Sequence, residues 1–390
     1  MRIAIIGSGP AALCAAYFLA PHHTVDIYER GKAIGRKFLV AGQGGFNLTN
    51  RATGAELRVK YSPNGQLDAA LDAFDSQAVR AWLGDLGVDT YEGSSGRIFP
   101  TRGTKPIEVL KRIEQRLLER GVRFHLEHAF IGFDAEERVL IGNNAGSFIC
   151  PADIVIFALG GASWPVTGST GDWTPHFEQL GIRTIPFAAS NCGIHVPWPA
   201  QVHVPHAGKP LKNIRVTCGD RSVLGEATIS DYGLEGNAIY PVVPAIREAL
   251  RDQPSAVVVL DLKPSSSEEQ LLAKLDNRGS PTTALNLARE QIAILKAFTT
   301  KEEFTSPAGL VRAIKKLTVP VTGLRPISEA ISTVGGIAMD ELDTNFALRK
   351  KPMFYAIGEM VDWDAPTGGF LIQGCLSMGH WVARAILSKA

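Results

Sequence analysis

The sequence predicts an α/β protein: a Rossmann-like nucleotide-binding domain interrupted by an inserted domain, part β-barrel-like and part helical. Three observations predict it. The chain opens as strand, glycine turn, helix, strand and acid. Buried strands ending in glycine return at Asp153–Gly161 and at Pro352–Glu359. Between them, over 187–325, the pattern changes to Pro-rich, β-prone stretches followed by helices. The expected division is therefore 1–186 plus 326–390 for the nucleotide-binding domain and 187–325 for the insertion. The insertion is expected to be β-barrel-like over 187–262 and helical over 263–318.

Arg2-Ile3-Ala4-Ile5-Ile6 is apolar and β-prone. It leads into Gly7-Ser8-Gly9-Pro10-Ala11-Ala12, the G-x-G-x-x-G/A form of the dinucleotide fingerprint. A helix over Leu13–Ala20 follows, then a strand over Thr24–Tyr28, with Glu29 at its end. Gly7 allows the tight turn, Gly9 lets a pyrophosphate approach the backbone, and Ala12 keeps helix and sheet close. Free N–H groups at the helix start face the phosphates, and Glu29 accepts the ribose hydroxyls. Gly7, Gly9, Pro10, Ala11, Ala12, Glu29 and Arg30 are the expected contacts of this half-site.

A glycine-rich loop comes next: Gly31, Gly35-Arg36-Lys37, then Gly42-Gln43-Gly44-Gly45-Phe46-Asn47. Apolar spacing predicts a helix over 66–86 and an amphipathic helix over 104–120, with Ile107, Leu110, Ile113, Leu117 and Leu118 on one side and Gly121 as its stop. Strand-like segments at 122–130, 138–141 and 147–150 suggest a small antiparallel insertion. A buried parallel strand then ends in Ala158-Leu159-Gly160-Gly161, and Gly168-Ser169-Thr170-Gly171-Asp172 opens a short helix over 172–180. In the middle block, strands are expected at 194–204, 213–219, 222–230 and 256–262. Ser265-Ser266-Ser267-Glu268 starts a capped helix running to about 276. Further helices are expected at 282–298 and 306–316. Last, a buried strand ends in Gly358-Glu359, Asp362 follows, and Thr367-Gly368-Gly369 opens a helix to Leu387.

The fingerprint alone allows NAD, NADP or FAD. A nicotinamide-binding domain needs no return of the chain some 330 residues later. FAD-binding folds of the glutathione-reductase type do. In them a C-terminal strand ending in Gly-acid meets the ribityl and pyrophosphate region, and the next helix points its N-terminus at the flavin. Gly358, Glu359 and Asp362 fit the first of these elements, and Thr367 to Phe370 fit the second. Ala158-Leu159-Gly160-Gly161 resembles the short A-T-G strand of the same folds. Non-covalent FAD is thus the expected cofactor. Its further contacts are expected from Arg36, Lys37, Gly42, Gly44, Ala158, Gly160, Gly161, Gly358, Glu359, Asp362, Gly368, Gly369 and Phe370. No second strand–G-x-G-x-x-G–helix unit occurs in 150–330, so NAD(P)H is expected only as a transient electron donor.

Forty basic and 39 acidic residues leave a formal net charge of +1, which gives no sign of a nucleic-acid or membrane footprint. No uncharged apolar stretch reaches the roughly 18 residues of a membrane span. No signal peptide is visible before the first strand. Five scattered cysteines without a C-x-x-C pair fit a reducing cytoplasm. The cytoplasm is the expected location, a small molecule the expected partner; the oligomeric state is open.

The chain resembles the BaiN/YhiN-like bacterial flavoproteins over nearly its whole length. The carriers are Gly7–Ala12, Gly35-Arg36-Lys37 with Asn47-Leu48-Thr49-Asn50, Gly96-Arg97-Ile98-Phe99-Pro100, Gly160-Gly161 through Pro165, Gly168–Asp172, Tyr232–Gly236, Thr333–Ile337 and Gly358–Gly379. Two departures stand out. Gly45 and Phe46 replace the usual Arg and Cys before Asn47, and Phe370-Leu371-Ile372-Gln373 replaces Y-N-L-Q. They place the chain in a divergent subgroup. The resemblance implies an FAD domain split by an insertion holding a small β-barrel and a helical piece.

In such a protein the flavin carries the electrons, while the protein orients it and admits a substrate. The expected activity is FAD-dependent transfer of a hydride or electron pair between flavin N5 and a small organic substrate, in a pocket between the two domains. The alternative is a flavoprotein with a non-catalytic or RNA-modification-associated role. Candidate catalytic groups are Gln43, Asn47, Arg97 and His380, with Tyr232, Arg325 and Glu329 as further polar residues in motif segments. For His380 the ordinary reading is a core histidine. His195, His203 and His206 look like a metal cluster, but Pro197, Pro199 and Pro205 argue against the helix that would converge them; no metal is expected.

Overall fold

The computed structural model describes residues 1–40, 45–275 and 280–389. The chain forms two compact units, 1–188 with 332–390, and 189–331. The boundaries thus lie a few residues beyond the expected 187 and 325. The composition changes at 187, but the strand Thr184–Ser190 runs on past it and pairs with Ser332–Ile337.

The first unit is built on a six-stranded sheet. Its order is Ala347–Leu348, Lys351–Ala356, Ile154–Phe157, β1 (Arg2–Ile6), β2 (Thr24–Glu29) and Arg123–Leu126. All neighbours are parallel except the Ala347–Leu348 edge. Ile154–Phe157 is buried along its whole length, as a strand covered on both faces must be. The segment near 122–130 splits. Its first part, Arg123–Leu126, completes the parallel sheet, and only Ala129–Phe133, Val139–Asn143 and Gly146–Ile149 form the antiparallel piece. Local pattern sees two β-prone runs; the partner strand decides which sheet each joins.

Helix α1 (Pro10–Leu19) follows the first glycine turn, starting earlier than expected because Pro10 suits a first helical position. It packs against the C-terminal helix Phe370–Leu387. A Cβ on Gly379 would stand 2.3 Å from the Ala11 carbonyl oxygen, so that glycine sets how closely the two helices approach. Phe370–Leu387 is long and apolar enough to cross a membrane by length and composition alone, yet most of it is buried within this unit.

The expected helix at 66–86 is two, Asp68–Ala73 and Ser76–Asp85, because the Asp75 side chain accepts from the N–H groups of Gln77 and Ala78 and starts a new helix. Helix Pro106–Glu119 buries Val109, Leu110, Ile113 and Leu117. Ile107 and Leu118, expected on the same side, are 40% and 54% exposed. The apolar stripe is one residue narrower at each end than the composition suggests.

In the second unit seven strands form one antiparallel sheet. The order is Leu317–Val321, Ala256–Asp261, Pro210–Cys218, Arg221–Ile229, Gly233–Glu235, Ile194–His195 and Gly323–Leu324. Its two ends are successive pieces of one segment, so the sheet curls back towards itself. Helices lie at Glu268–Leu275, Pro281–Ala284, Arg289–Phe298, Lys301–Thr305 and Pro307–Lys315. The first starts at a reciprocal cap between Ser267 and Gln270 rather than at Ser265. The expected strand over 194–204 is a two-residue strand and then a helix, Ala200–His206. Pro205 lies inside that helix, near its end. Among the described residues no group of three or more His, Cys, Asp or Glu side chains is placed to hold a metal.

Candidate flavin-binding site

The opening turn has the conformation the fingerprint requires. Gly7 has φ +100°, and a Cβ there would stand 2.3 Å from the Ala158 carbonyl oxygen, so only glycine fits between β1 and the neighbouring strand end. Gly9 is different. Its φ is −72°, and a Cβ would meet nothing within 4 Å. Protein packing gives no reason for glycine at this position; a phosphate against the backbone does. Gly9 is the N-cap of α1 and no side chain caps it. The amides of Ala11 and Ala12 therefore start a helix with its positive end uncovered. This arrangement fits a bound pyrophosphate.

Glu29 ends β2 with its carboxylate fixed. Ser8 donates its hydroxyl to Oε2, the Gly31 N–H donates to Oε1 at 2.7 Å, and the Gly35 N–H holds Ser8 Oγ at 3.1 Å. Three stretches of chain, at Ser8, at 29–31 and at Gly35, thus meet at the group expected to receive the ribose.

The basic residues of the next loop are engaged with the protein. Arg30 donates to Thr170 Oγ1 at 3.1 Å and pairs with Asp172 at 3.1 Å, and Arg36 donates to the Val166 carbonyl at 2.6 Å. Both side chains pin the 163–172 loop to the first half-site. In this structure the two residues expected as cofactor contacts also hold this loop. Lys37 donates to Ser163 Oγ at 2.7 Å and pairs with Glu359. Two residues expected as separate cofactor contacts, from opposite ends of the chain, therefore meet each other. Glu359 Oε1 also accepts the Thr333 N–H at 3.0 Å. Gly161 has no room for a Cβ, which would fall 2.1 Å from Thr333 Oγ1 and 3.0 Å from Glu359 Cδ. Asp362 accepts the Gly335 N–H at 2.9 Å.

Lys37 and Glu359 are 27% and 16% exposed, between surface and interior. Lys37→Met is expected to lower the unfolding free energy by about 1–3 kcal/mol, with Glu359→Gln in the same chain restoring most of it. A double-mutant cycle in urea measures this; additive losses would show that the pair contributes nothing.

Aromatic donors fix the carbonyls of the glycine turns. Trp173 Nε1 donates to Gly160 at 3.0 Å, Trp363 Nε1 to Gly358 at 2.9 Å, and the Tyr61 hydroxyl to Phe370 at 2.7 Å. Gly369, the N-cap of the C-terminal helix, has φ +99°, and a Cβ would stand 2.3 Å from the Thr49 carbonyl oxygen. Asn50 Nδ2 donates to the Gly368 carbonyl at 3.1 Å. Strand Thr49–Asn50 thus carries the helix start. Gln373, one turn in, is fully buried: it accepts from Thr49 Oγ1 and donates to the Phe74 carbonyl at 2.7 Å and to Ser377 Oγ at 2.9 Å.

Sequence reasoning missed Gln373, Thr49, Ser163, Thr333 and the aromatic donors as site-builders. A lone glutamine on the buried face of an apolar helix is the one signal that pointed to them.

Of the catalytic candidates, Arg97 lies at the helix start, its Nε 3.5 Å from where a Cβ on Gly368 would be. Asn47 lies in the adjoining loop, its N–H on the Gly45 carbonyl. Gln43, with Gly42 and Gly44, falls outside the described residues. His380 is corrected to a core residue. It stacks on Phe74 at 4.6 Å and meets Phe18 edge-on at 4.7 Å, about 15 Å along the helix from Phe370. Burial, aided by Arg384, lowers its pKa to about 4. The folded protein thus holds it neutral, while the unfolded chain takes up a proton below about 6.5. Stability is therefore lost as pH falls from about 6.5 to about 4. His380→Phe is expected to flatten that part of the Tm–pH curve and leave turnover unchanged; a lost turnover in a folded variant would restore it as a catalyst.

In the second unit the Tyr232 hydroxyl donates to Glu235, Arg325 lies 4.2 Å over the Tyr232 ring, and its Nε donates to Glu329 at 2.8 Å. Burial raises the Tyr232 pKa, so its hydroxyl stays protonated.

These features define a nucleotide-binding flavoprotein fold closed by its own C-terminus. The HI0933-like protein Rossmann domain matches residues 1–385, so the chain belongs to the HI0933-like family, and it is an FAD-dependent oxidoreductase. Over 98% of its length it is 25% identical to the ribosomal RNA dihydrouridine synthase of Haemophilus influenzae, covering 97% of that protein. It is 24% identical to the 3-dehydro-bile acid delta(4,6)-reductase of Clostridium scindens, over 100% of this chain and 99% of the relative. The solved 3-ketosteroid delta1-dehydrogenase of Sterolibacterium denitrificans shares the fold, with a TM-score of 0.53 at 12% identity over 100% of this chain and 99% of that one.

Proposed function

We propose that this chain reduces a carbon–carbon double bond conjugated to a carbonyl in a small organic molecule. The observation that carries the cofactor half of this reading is the open space at Gly9 beside an uncapped helix start, which fits the pyrophosphate of FAD. The substrate half is supported by the two curated relatives. One name states reduction of the 4,6 double bonds of a 3-oxo bile acid, the other reduction of uridine. In both, a double bond next to a carbonyl gains two hydrogens. Bound FAD, once reduced, supplies the hydride, and a proton from solvent or a side chain completes the addition. The electron donor we propose is NAD(P)H, bound transiently, since the first unit contains one glycine fingerprint. The site of action we propose is the cytoplasm.

The test is anaerobic mixing of FAD-loaded protein with NADH or NADPH, then with a panel of cyclic enones. Flavin bleaching followed by enone-dependent reoxidation supports the reading. Bleaching without reoxidation by any conjugated carbonyl compound would remove the substrate half and keep the cofactor half.

A second reading is that the double bond is that of uridine in ribosomal RNA, which the name of the Haemophilus influenzae relative favours. Mass spectrometry of ribosomal RNA from a deletion strain decides it: one uridine-derived position loses two hydrogens relative to the parent strain. Unchanged RNA would retain the small-molecule reading.

A further inference from the structure

We propose that one face of the small sheet at 49–100 is the substrate floor, and that it takes a planar conjugated ring bearing a negatively charged or carbonyl oxygen. The inference rests on the FAD-dependent reading above and names the substrate class for that site.

Strands Thr49–Asn50, Arg97–Pro100 and Thr90–Glu92 form this sheet, with Asn50 opposite Arg97 and Tyr91 opposite Phe99. Side chains alternate across a strand, so Ile98, fully buried, faces one way, and Arg97 and Phe99 face the other with Asn50 and Tyr91. The row begins at Gly368, where Asn50 and Arg97 meet the start of the C-terminal helix. It runs outward to Phe99, which stacks on Tyr91 at 5.7 Å with 26° between the rings. Tyr91 is 38% exposed and Arg102 lies over it at 5.9 Å.

Two features of this row bear on a ligand. Among the described residues the Arg97 guanidinium has no carboxylate or carbonyl partner, whereas Arg30, Arg36, Arg51 and Arg58 all have one. Phe99 is half-buried, and its neighbours Gly45 and Gly93 place no side chain over its ring, which lies 3.6 and 2.9 Å from where their Cβ atoms would stand. An unpaired planar cation beside an accessible aromatic ring suits a ligand that is itself flat and carries negative charge.

The probes are benzoate (flat and anionic), benzamide (flat and neutral) and cyclohexanecarboxylate (anionic and not flat), titrated into FAD-loaded protein and read by the change in flavin absorbance. Benzoate is expected to bind tightest. Arg97→Met is expected to weaken benzoate about tenfold and benzamide, which offers only a neutral carbonyl oxygen, less than about threefold, and Arg97→Lys to recover part of the benzoate loss. Phe99→Leu is expected to weaken both flat probes about three- to tenfold and leave cyclohexanecarboxylate unchanged. Unaltered FAD affinity and Tm in each variant separate these effects from loss of fold. Equal benzoate affinity in wild type, Arg97→Met and Phe99→Leu would overturn the proposal, as would equal losses for all three probes. Absence of FAD uptake by the wild-type chain would instead overturn the cofactor reading, so the two failures are distinct.

Discussion

Gly9→Val is expected to weaken FAD binding sharply while leaving the fold intact. The backbone at residue 9 is extended, with φ −72° and ψ 176°, which valine adopts readily. Its Cβ meets no protein atom within 4 Å. The unfolding free energy of the FAD-free variant should stay within about 1 kcal/mol of wild type. The branched side chain, however, fills the space over the first N–H groups of α1. FAD affinity should fall by about a hundredfold or more, the equivalent of roughly 3 kcal/mol of charge-assisted contact. Gly7→Ala is the control with the opposite signature. It forces alanine to φ +100° and sets its Cβ 2.3 Å from the Ala158 carbonyl oxygen. A loss of about 3–5 kcal/mol of stability is expected before any cofactor is added. Chemical unfolding and FAD fluorescence titration of the two variants check both. Equal destabilisation by both substitutions would mean that Gly9 is a packing residue.

Gln373→Leu is expected to destabilise the protein by breaking a buried network at the start of the C-terminal helix. The side chain is fully buried and joins three elements: strand residue Thr49, the carbonyl of Phe74, and Ser377 one turn further on. Leucine matches its volume but leaves the Thr49 hydroxyl buried without its partner. Ser377 still donates to the Phe74 carbonyl at 2.7 Å, so the loss falls mainly on the Thr49 side. A cost of about 2–4 kcal/mol follows from one orphaned polar group and the lost bonds of the amide. The Thr49 carbonyl also crowds Gly369, so FAD affinity should weaken together with stability. A loss below about 1 kcal/mol would show that the network relaxes around the leucine.

Much of the cofactor half-site was legible in the sequence because it is local. Strand, turn, helix and acid lie within the first 29 residues. The rest required the fold. Lys37 and Glu359 read as two independent phosphate or ring contacts, yet they are 322 positions apart and bond to one another. Arg30 and Arg36 read as cofactor contacts, and the fold shows them bonded to the 163–172 loop as well. No local pattern reports such pairings, because a charged side chain's partner is chosen by whatever the topology brings alongside. His380 shows the same limit: its helix position was clear, but not the Phe74 ring that stacks on it.

By itself the sequence determined the fold class, the cofactor and the interruption of the first unit by a second. The fold class follows from short-range periodicity and the opening glycine motif, and the cofactor from the return of a strand ending in Gly-acid near the C-terminus. The tertiary structure alone decided which polar groups stay unsatisfied by the protein. Gly9 was the clearest residue of the opening motif, and its meaning rests on an empty 4 Å sphere that no sequence displays. Arg97 looked like one polar residue among several, and it is set apart by having, among the described residues, no carboxylate or carbonyl partner at the start of the C-terminal helix. Local order is written in neighbouring residues; availability for a ligand depends on everything else the chain has placed nearby.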